Sequence, residues 1–216
     1  MAEIKFCGLT RPEDAAVAAT LGAAYLGVIF AGGPRLLDAA RARAVLDAGG
    51  TGARRVGVFG RTPVAEVARI ARDARLDVVQ LHGDPTVEDI AAARAATGAT
   101  VWAVVRVTDA LPAHVDDLLA AGDGLLIDAR VSGSLGGSGV SVDWIALSAD
   151  VARRRGRKDI ILAGGLVAEN VGAALRALSP AVVDVSSGVE AAPGIKDHAR
   201  MRAFATAVAV AAEERR

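Results

Sequence analysis

Short apolar runs recur along the chain, and each is followed by a segment with a different periodicity. They are rich in Val, Ile and Leu and comprise residues 4–7, 24–30, 56–59, 78–81, 101–105, 125–127, 160–162 and 182–185. Because these runs are apolar almost throughout, they are typical of strands that are covered on both faces. The pattern therefore favours a parallel sheet.

Helical periodicity fills the segments between the runs. Apolar residues there follow an i, i+3, i+4, i+7 pattern, which places them on one face of a helix. The sets are Val64, Val67, Ala68 and Ala71; Val171, Ala174, Leu175 and Leu178; and Met201, Phe204, Ala205 and Val208. Eight strand and helix units in 216 residues predict an α/β fold, a (β/α)₈ TIM barrel spanning residues 1–216 as a single domain. The alternative is an open doubly wound sheet, which more often has about five or six strands.

Composition narrows the class of function. The 25 basic and 25 acidic residues give a formal net charge of zero, so charge favours a small-molecule substrate over nucleic acid or an anionic membrane surface. A single cysteine forms no intramolecular disulfide, and no apolar stretch reaches the roughly 18 residues that span a bilayer. Together with a start that lacks the pattern of a secretory signal, this predicts a cytoplasmic protein.

The first apolar run ends at Cys7 and gives way to Gly8, Leu9 and Thr10. A barrel enzyme places its catalytic groups at this end of the strands. Because side chains alternate along a strand, Lys5 and Cys7 share a face, and a nearby ammonium favours the thiolate form of a cysteine. We therefore interpret Cys7 as a candidate base. The alternative is a small buried apolar side chain, as a free cysteine usually is.

Three other runs carry a polar residue at or near their ends: Gln80, Asp128 and Asp184. If their face lines the barrel, they converge with Cys7 at one rim. A carboxylate is costly to bury as an anion, so we expect a raised pKa for Asp128. A carboxyl that stays protonated near neutral pH is suited to act as a general acid and complements Cys7. The alternative is that Asp128 caps the following loop.

Two segments at the ends of the seventh and eighth runs are predicted to bind phosphate. In barrels these loops commonly do so, because glycines expose backbone N–H groups and a short helix adds its dipole. The candidates are Gly164, Gly165, Ser186, Ser187 and Gly188. A third segment could close over the same anion through Gly137 and Gly139, or be a flexible turn. It belongs to the loop at residues 130–139, a lid candidate.

Two further side chains are candidates for substrate contacts. Arg35 follows Gly33 and Pro34 in the loop after the second strand, where its planar fork is suited to a carboxylate; the alternative is a solvated arginine. His82 ends the fourth strand and either contacts substrate or hydrogen-bonds a loop carbonyl.

Other polar residues are predicted to lie outside the site. His114 and His198 fall within helical patterns and are expected at the surface. Because the histidines are not spaced as metal ligands and no carboxylate cluster accompanies them, we predict no metal. Lys196 and Asp197 are expected to begin the last helix, and packing alone explains Trp102.

Taken in order, eight groups of residues between positions 5 and 197 resemble the phosphoribosylanthranilate isomerases. The groups are Lys5-Phe6-Cys7-Gly8-Leu9-Thr10; Gly33-Pro34-Arg35; Val79-Gln80-Leu81-His82-Gly83; Asp128; Gly136-Gly137-Ser138-Gly139 with Asp143-Trp144; Ala163-Gly164-Gly165-Leu166 with Asn170-Val171; Asp184-Val185-Ser186-Ser187-Gly188-Val189-Glu190; and Pro193-Gly194-Ile195-Lys196-Asp197. Each piece is unspecific alone, but the ordered combination is highly specific.

The resemblance implies a (β/α)₈ barrel of tryptophan biosynthesis that catalyses an Amadori rearrangement of a phosphoribosyl substrate without a cofactor. It further implies that Asp128 protonates the ribose ring oxygen and that Cys7 then takes the proton from C2. Arg35 would hold the anthranilate carboxylate, Asp184 would support the reacting centre, and the glycine loops would hold the phosphate. Lys5, Gln80 and His82 complete the expected substrate site, in a monomer or a homodimer.

Two other functions are weighed against this one. The first is a sister phosphate-binding barrel, either the isomerase of histidine biosynthesis or the bifunctional enzyme that serves both pathways; these usually place an aspartate where Cys7 stands. The second is a non-catalytic barrel used as an interaction scaffold. Such a scaffold is expected to have lost the acid or the base, whereas Cys7 and Asp128 are both present.

Overall fold

The structure is a computed structural model that describes residues 2–107, 110–128, 144–154, 156 and 158–214. Eight parallel strands form a closed barrel in chain order, with the last strand paired to the first. The strands are β1 (Glu3–Phe6), β2 (Tyr25–Ile29), β3 (Arg54–Phe59), β4 (Val78–Leu81), β5 (Thr100–Arg106), β6 (Gly124–Asp128), β7 (Asp159–Ala163) and β8 (Val182–Val185). The predicted barrel is confirmed, and the alternative of an open sheet is wrong.

A helix follows each barrel strand. The helices are α1 (Pro12–Thr20), α2 (Ala39–Ala48), α3 (Val64–Ala74), α4 (Val87–Thr97), α5 (Val115–Ala121), α6 (Trp144–Ala152), α7 (Ala168–Leu178) and α8 (His198–Glu213). The predicted apolar face of α7 is confirmed, since its four residues are all buried. The predicted face of α3 is wrong in part: Val64 is 40% exposed, and Ile70 and Ala74 are buried instead. Val64 is the first residue of the helix, after Pro63, and precedes the turns that pack on the barrel.

Two apolar layers account for strands that are apolar on both faces. One layer fills the barrel interior with Tyr25, Val56, Val78, Trp102, Val104, Leu126, Ile161, Ala163 and Val182. The other side chains of the strands pack outward against the helices. Trp102 meets the ring of Tyr25 edge-on, with ring centroids 4.9 Å apart, so packing accounts for it as predicted.

An element that the sequence pattern did not predict lies between β8 and α8. A 3₁₀ turn (Ser187–Val189) leads into an antiparallel hairpin of β9 (Glu190–Ala192) and β10 (Ile195–Lys196). The prediction that Lys196 begins the last helix is wrong, since it lies in β10 and is 3% exposed. Asp197 is the N-cap of α8 and accepts hydrogen bonds from the backbone N–H groups of Ala199 and Arg200. The hairpin thereby joins the end of the barrel to the final helix.

The interior layer predicts how a truncation there affects stability. Ile161 is fully buried inside the barrel, so we expect Ile161→Ala to lower the free energy of unfolding by about 2–5 kcal/mol. Urea unfolding measures this change. Val210→Ala is the control, because Val210 on α8 is 48% exposed, and its effect should stay within about 0.5 kcal/mol. Equal losses in the two variants would contradict the interior placement of Ile161.

Candidate active site

The carboxyl ends of the strands surround a cavity of about 110 Å³. The predicted site residues that line it are Cys7, Arg35, Gln80, His82, Asp128, Gly164, Gly165, Asp184, Ser186, Ser187 and Gly188. Two larger grooves, of about 580 and 600 Å³, lie beside the loops that follow β3, β4 and β5. None of the predicted site residues that the structure describes lines either groove. Gly137, Gly139 and the lid candidate at 130–139 lie outside the described residues. The smaller cavity is therefore the candidate active site.

Lys5 lies fully buried beneath this cavity. The β1–β8 register sets it beside Asp184, and its Nζ donates to Asp184 Oδ2 and to Gln80 Oε1, both at 2.8 Å. Burial by itself lowers the pKa of Lys5, but attraction to Asp184 and Cys7 outweighs burial, and the pKa is raised. Lys5 is thus a fixed cation held by protein acceptors.

Cys7 is buried just above that cation, and its pKa is raised above the ordinary value of 9.0. Burial is the largest cause, because it disfavours the thiolate. Lys5 and Lys196 act in the opposite direction, while the charge of Asp184 adds to the rise. The predicted influence of Lys5 has the expected sign, but burial and Asp184 together exceed it. The resting side chain is therefore the thiol.

Gly27 on the neighbouring strand β2 gives Cys7 its room. A Cβ at position 27 would lie 3.0 Å from Cys7 Sγ and 3.2 Å from Lys5 Cε. Real Cβ atoms seldom have contacts this short, so a side chain here would push against both groups. The sequence patterns did not single out Gly27, since its importance depends on how β1 packs beside β2.

Asp128 ends β6 and is 2% exposed, and His82 faces it from the end of β4. His82 Nε2 lies 3.5 Å from Asp128 Oδ2, and His82 Nδ1 lies 3.4 Å from Gln80 Nε2. Because the ammonium of Lys5 only donates, Gln80 turns its Oε1 to Lys5 and its NH₂ group to His82. Nδ1 then accepts, which places the proton of a neutral His82 on Nε2, toward Asp128. The raised pKa expected for Asp128 stays a prediction.

Asp184 lines the cavity and binds Lys5 through one of its two carboxylate oxygens. Its Oδ2 accepts from Lys5, whereas its Oδ1 is buried and has no hydrogen-bond partner among the described residues. Buried polar atoms are nearly always paired, so this unpaired oxygen is an exception among the described residues.

Arg35 lines the cavity but already holds a carboxylate of the protein. Its Nε and Nη2 donate to Glu190 Oε1 and Oε2 at 2.8 and 2.6 Å. The alternative of a freely solvated arginine is wrong, since the side chain is only 22% exposed and both Nε and Nη2 are bound to Glu190. The pKa of Glu190 is lowered, because the hydrogen bonds and charges of Arg35 and Lys196 outweigh the opposing effect of burial.

The two predicted phosphate loops require glycine for different reasons. Gly164 and Gly165 have φ values of 96° and 64°, in the region that favours glycine. At Gly188 a Cβ would lie 1.9 Å from the carbonyl oxygen of Leu166, so the β7 and β8 loops approach each other there. The β8 loop continues into the 3₁₀ turn, and the β7 loop leads to the N-terminus of α7. Backbone N–H groups are thus concentrated at one side of the cavity.

A second charged cluster, at the start of α1, was not predicted. His198 is the first residue of α8 and its side chain is 34% exposed, in agreement with the predicted surface position, but its Nε2 also lies 2.8 Å from Oδ1 of the fully buried Asp14. Arg11 binds both oxygens of Asp14, at 2.6 and 2.9 Å. His114 is exposed at the N-cap of α5, as predicted.

Among the residues that the structure describes, no three His, Cys, Asp or Glu side chains gather as metal ligands. In the same residues no helix combines the length and the apolar character that a membrane crossing requires.

A family model described as N-(5'phosphoribosyl)anthranilate (PRA) isomerase matches residues 4–207. The chain belongs to this family. A relative named N-(5'-phosphoribosyl)anthranilate isomerase from Acidithiobacillus ferrooxidans is 44% identical over 212 residues, covering 96% of this chain and 98% of the relative. Another of the same name, from Rubrobacter xylanophilus, is 42% identical over 209 residues and covers 96% and 98%.

Solved structures of phosphoribosylanthranilate isomerases have the same fold. That from Thermus thermophilus superposes with a TM-score of 0.83 at 34% identity, covering 96% of this chain and 98% of the other. That from Thermotoga maritima has a TM-score of 0.85 at 31% identity, covering 97% and 100%. A third, at 0.82 and 29% identity over 97% and 100%, is a complex with reduced 1-(o-carboxyphenylamino)-1-deoxyribulose 5-phosphate.

The space around Cys7 predicts the effect of a single methyl group. We expect Gly27→Ala to displace the sulfur and to lower kcat/KM for isomerisation at least about tenfold, since small misplacements of reacting groups are costly. A continuous isomerase assay measures this, with thermal unfolding beside it. Gly52→Ala is the matched control, because a Cβ there meets nothing within 4 Å. If Gly27→Ala keeps the parental kcat/KM, the absence of a side chain at position 27 does not matter for catalysis.

Proposed function

We propose that this chain converts N-(5'-phosphoribosyl)anthranilate to 1-(2-carboxyphenylamino)-1-deoxyribulose 5-phosphate, a step of tryptophan biosynthesis. Membership of the isomerase family supports this reaction. The observation that carries the assignment of roles is a single cavity that Cys7, Asp128 and the two glycine loops all line. One small phosphorylated sugar in that cavity would meet an acid, a base and an anion site together.

The phosphate end is proposed to bind between the β7 and β8 loops. Gly164, Gly165 and the segment from Ser186 to Gly188 line this side of the cavity. Backbone N–H groups bind a phosphate without a counter-charge of their own, and nearby helix termini add a favourable dipole. Anchoring the phosphate fixes the position of the pentose relative to the strand ends.

Asp128 is proposed to act first, as the general acid. Its protonated form donates a proton to the ribose ring oxygen while the bond from that oxygen to C1 breaks. The lone pair of the anthranilate nitrogen, which keeps its hydrogen, forms a protonated imine, and its positive charge balances the carboxylate that Asp128 becomes. His82 Nε2, 3.5 Å from Asp128 Oδ2, is placed to stabilise the carboxylate that results.

Cys7 is proposed to act second, as the general base. Its thiolate takes the proton from C2, and the C2 electrons move to form an enolamine as the imine nitrogen becomes an amine. The enolamine then tautomerises to the ketone. The buried cation of Lys5 stabilises the thiolate, and Asp184, which also lines the cavity, supports the reacting centre.

Arg35 is proposed to recognise the anthranilate carboxylate. Because Nε and Nη2 donate to Glu190, the Nη1 side of the guanidinium is the part proposed to donate hydrogen bonds to the ligand. The isomerase of histidine biosynthesis and the bifunctional enzyme remain the nearest alternatives in chemistry, but a cysteine at position 7 favours the anthranilate reaction. Turnover of the histidine-pathway substrate at a comparable kcat/KM would favour the bifunctional alternative.

The two proton-transfer roles predict large losses of activity. We expect Cys7→Ser and Asp128→Asn each to lower kcat by at least about a hundredfold, as removal of a general acid or base commonly does. Fluorescence follows the loss of freshly generated phosphoribosylanthranilate. Asp73→Asn on α3 is the control for the carboxyl change and should keep parental activity, since its side chain is 43% exposed and outside the cavity. Near-parental rates in both site variants would remove the proposed roles.

The raised pKa of Cys7 predicts the shape of the pH profile. The active form needs a thiolate and a protonated Asp128, and therefore carries one proton on the pair. The pair loses this last proton only above the pKa of Cys7, beyond 9.0, so on the alkaline side kcat/KM falls only above that pH. In Cys7→Asp two carboxyls share the proton and lose it at lower pH, so the fall begins earlier.

The measurement is the ratio of kcat/KM for the parent to that for Cys7→Asp across the pH range, because the titration of the substrate phosphate then cancels. We expect the ratio to rise with pH through the neutral range. A ratio that is independent of pH would exclude Cys7 as the group that sets the alkaline limit.

A further inference from the structure

A line of buried charges leads from the cavity to the hairpin that follows β8. Arg35 lines the cavity, Glu190 begins the hairpin and is 7% exposed, and Lys196 ends it at 3% exposed. Lys196 Nζ donates to Glu190 Oε1 at 2.9 Å, the same oxygen that accepts from Arg35 Nε. One carboxylate is therefore shared by two cations.

The side chain of Arg35 is confined on more than one side. Its Nε and Nη2 form the two-pronged bond to Glu190. Its Cδ passes so close to Gly8, the residue after Cys7, that a Cβ at position 8 would lie 2.6 Å from it. A guanidinium held along one edge and along its stem has little freedom left, which lowers the entropic cost of binding a ligand with the remaining edge.

The hairpin that carries this pair is itself anchored to the loop after β1. The hydroxyl of Thr10 donates to the Gly194 carbonyl, and Arg11 Nη2 donates to the Lys196 carbonyl at 3.2 Å. Lys196 Nζ also donates to the carbonyl of Ser186, at 3.0 Å, within the proposed phosphate site. Glu190 and Lys196 are thus tied to the loops that carry the base and the phosphate site.

The charge balance of the three groups favours an anionic ligand. With Lys196 protonated, two cations against one carboxylate leave a net charge of about +1 at the Arg35 side of the cavity. Burial lowers the pKa of Lys196, and the attraction of Glu190 opposes that effect. Both cations also interact with Cys7, and Lys196 lowers the pKa of that thiol. Burial of such a pair is costly and offers little net stability in general, so a role in shaping the site accounts for it better than a role in holding the fold.

We infer that Glu190 and Lys196 are positioning residues that hold Arg35 for recognition of the carboxylate on the aromatic amine of the substrate. Glu190 occupies the Nε and Nη2 edge and so turns the other edge to the ligand, while Lys196 fixes Glu190 and maintains the positive charge. The pair thereby selects an amine that carries a carboxylate over one that does not. This inference rests on the proposed function.

The experiment compares two reduced product analogues by calorimetry: 1-(2-carboxyphenylamino)-1-deoxyribitol 5-phosphate and the same compound without the carboxylate. The proteins are the parent, Glu190→Gln, Lys196→Met and Arg35→Met. Glu190→Gln keeps the size of the side chain but loses its charge and the two-pronged bond. Glu66→Gln is the matched control, because Glu66 forms the same kind of two-pronged bond with Arg69 at the exposed surface of α3.

We expect Glu190→Gln and Lys196→Met to weaken binding of the carboxylated analogue at least about tenfold and to change binding of the other analogue less than about twofold. KM should rise more than kcat falls. Glu190→Asp, which keeps the charge, should recover part of the affinity. Adding Glu190→Gln to Arg35→Met should cause little further loss, because the pair acts through Arg35.

Two results would overturn the inference. One is an equal loss of affinity for both analogues, which indicates a structural role of the hairpin. If Glu190→Gln folds poorly, Lys196→Met and Glu190→Asp are compared instead, by the loss of affinity for the carboxylated analogue relative to the loss for the other analogue. The other is no loss for either analogue. Failure of the proposed function is a different result, since the parent would then neither bind the carboxylated analogue nor isomerise the substrate.

Discussion

The buried bond between Lys5 and Asp184 connects the first and last strands where the barrel closes, and the site is built above it. An ammonium removed from water needs acceptors around it, and Asp184 and Gln80 supply them. Once Gln80 is turned to Lys5, its NH₂ group faces His82 Nδ1 and places the proton of a neutral His82 on Nε2, which faces Asp128. A single buried cation thus influences both the proposed acid, Asp128, and the proposed base, Cys7.

Close packing of the backbone gives this site its dimensions. Beside the cavity of about 110 Å³, Gly27 leaves room for the sulfur of Cys7, and Gly188 lets the loops after β7 and β8 approach each other. The charges are arranged in separate places around it: Lys5 lies below the thiol, and Arg35 with its hairpin partners lies at the rim. The proposed substrate carries a phosphate at one end and a carboxylate at the other, and the proposed site offers a complementary group for each end.

Much of this site could be predicted from the sequence because it is local. Strand alternation places Gln80, Asp128 and Asp184 on the interior face, and glycine with serine after β7 and β8 indicates anion-binding loops. The partners of Arg35 could not be predicted in this way. Glu190 is 155 residues away in the chain, and nothing in the local pattern distinguishes a carboxylate that binds Arg35 from one in solvent. Likewise, His198 reaches Asp14 across 184 residues.

The sequence by itself determined the barrel, since eight apolar runs followed by amphipathic segments leave few other ways to bury both faces of the strands. It also identified the strand ends that carry Cys7 and Asp128. Only the tertiary structure decided the electrostatics of the thiol, because burial and the charges of Lys5, Asp184 and Lys196 act together on it through space. Desolvation and Coulomb energies depend on distances between atoms, and distances across a barrel are set when the chain closes on itself.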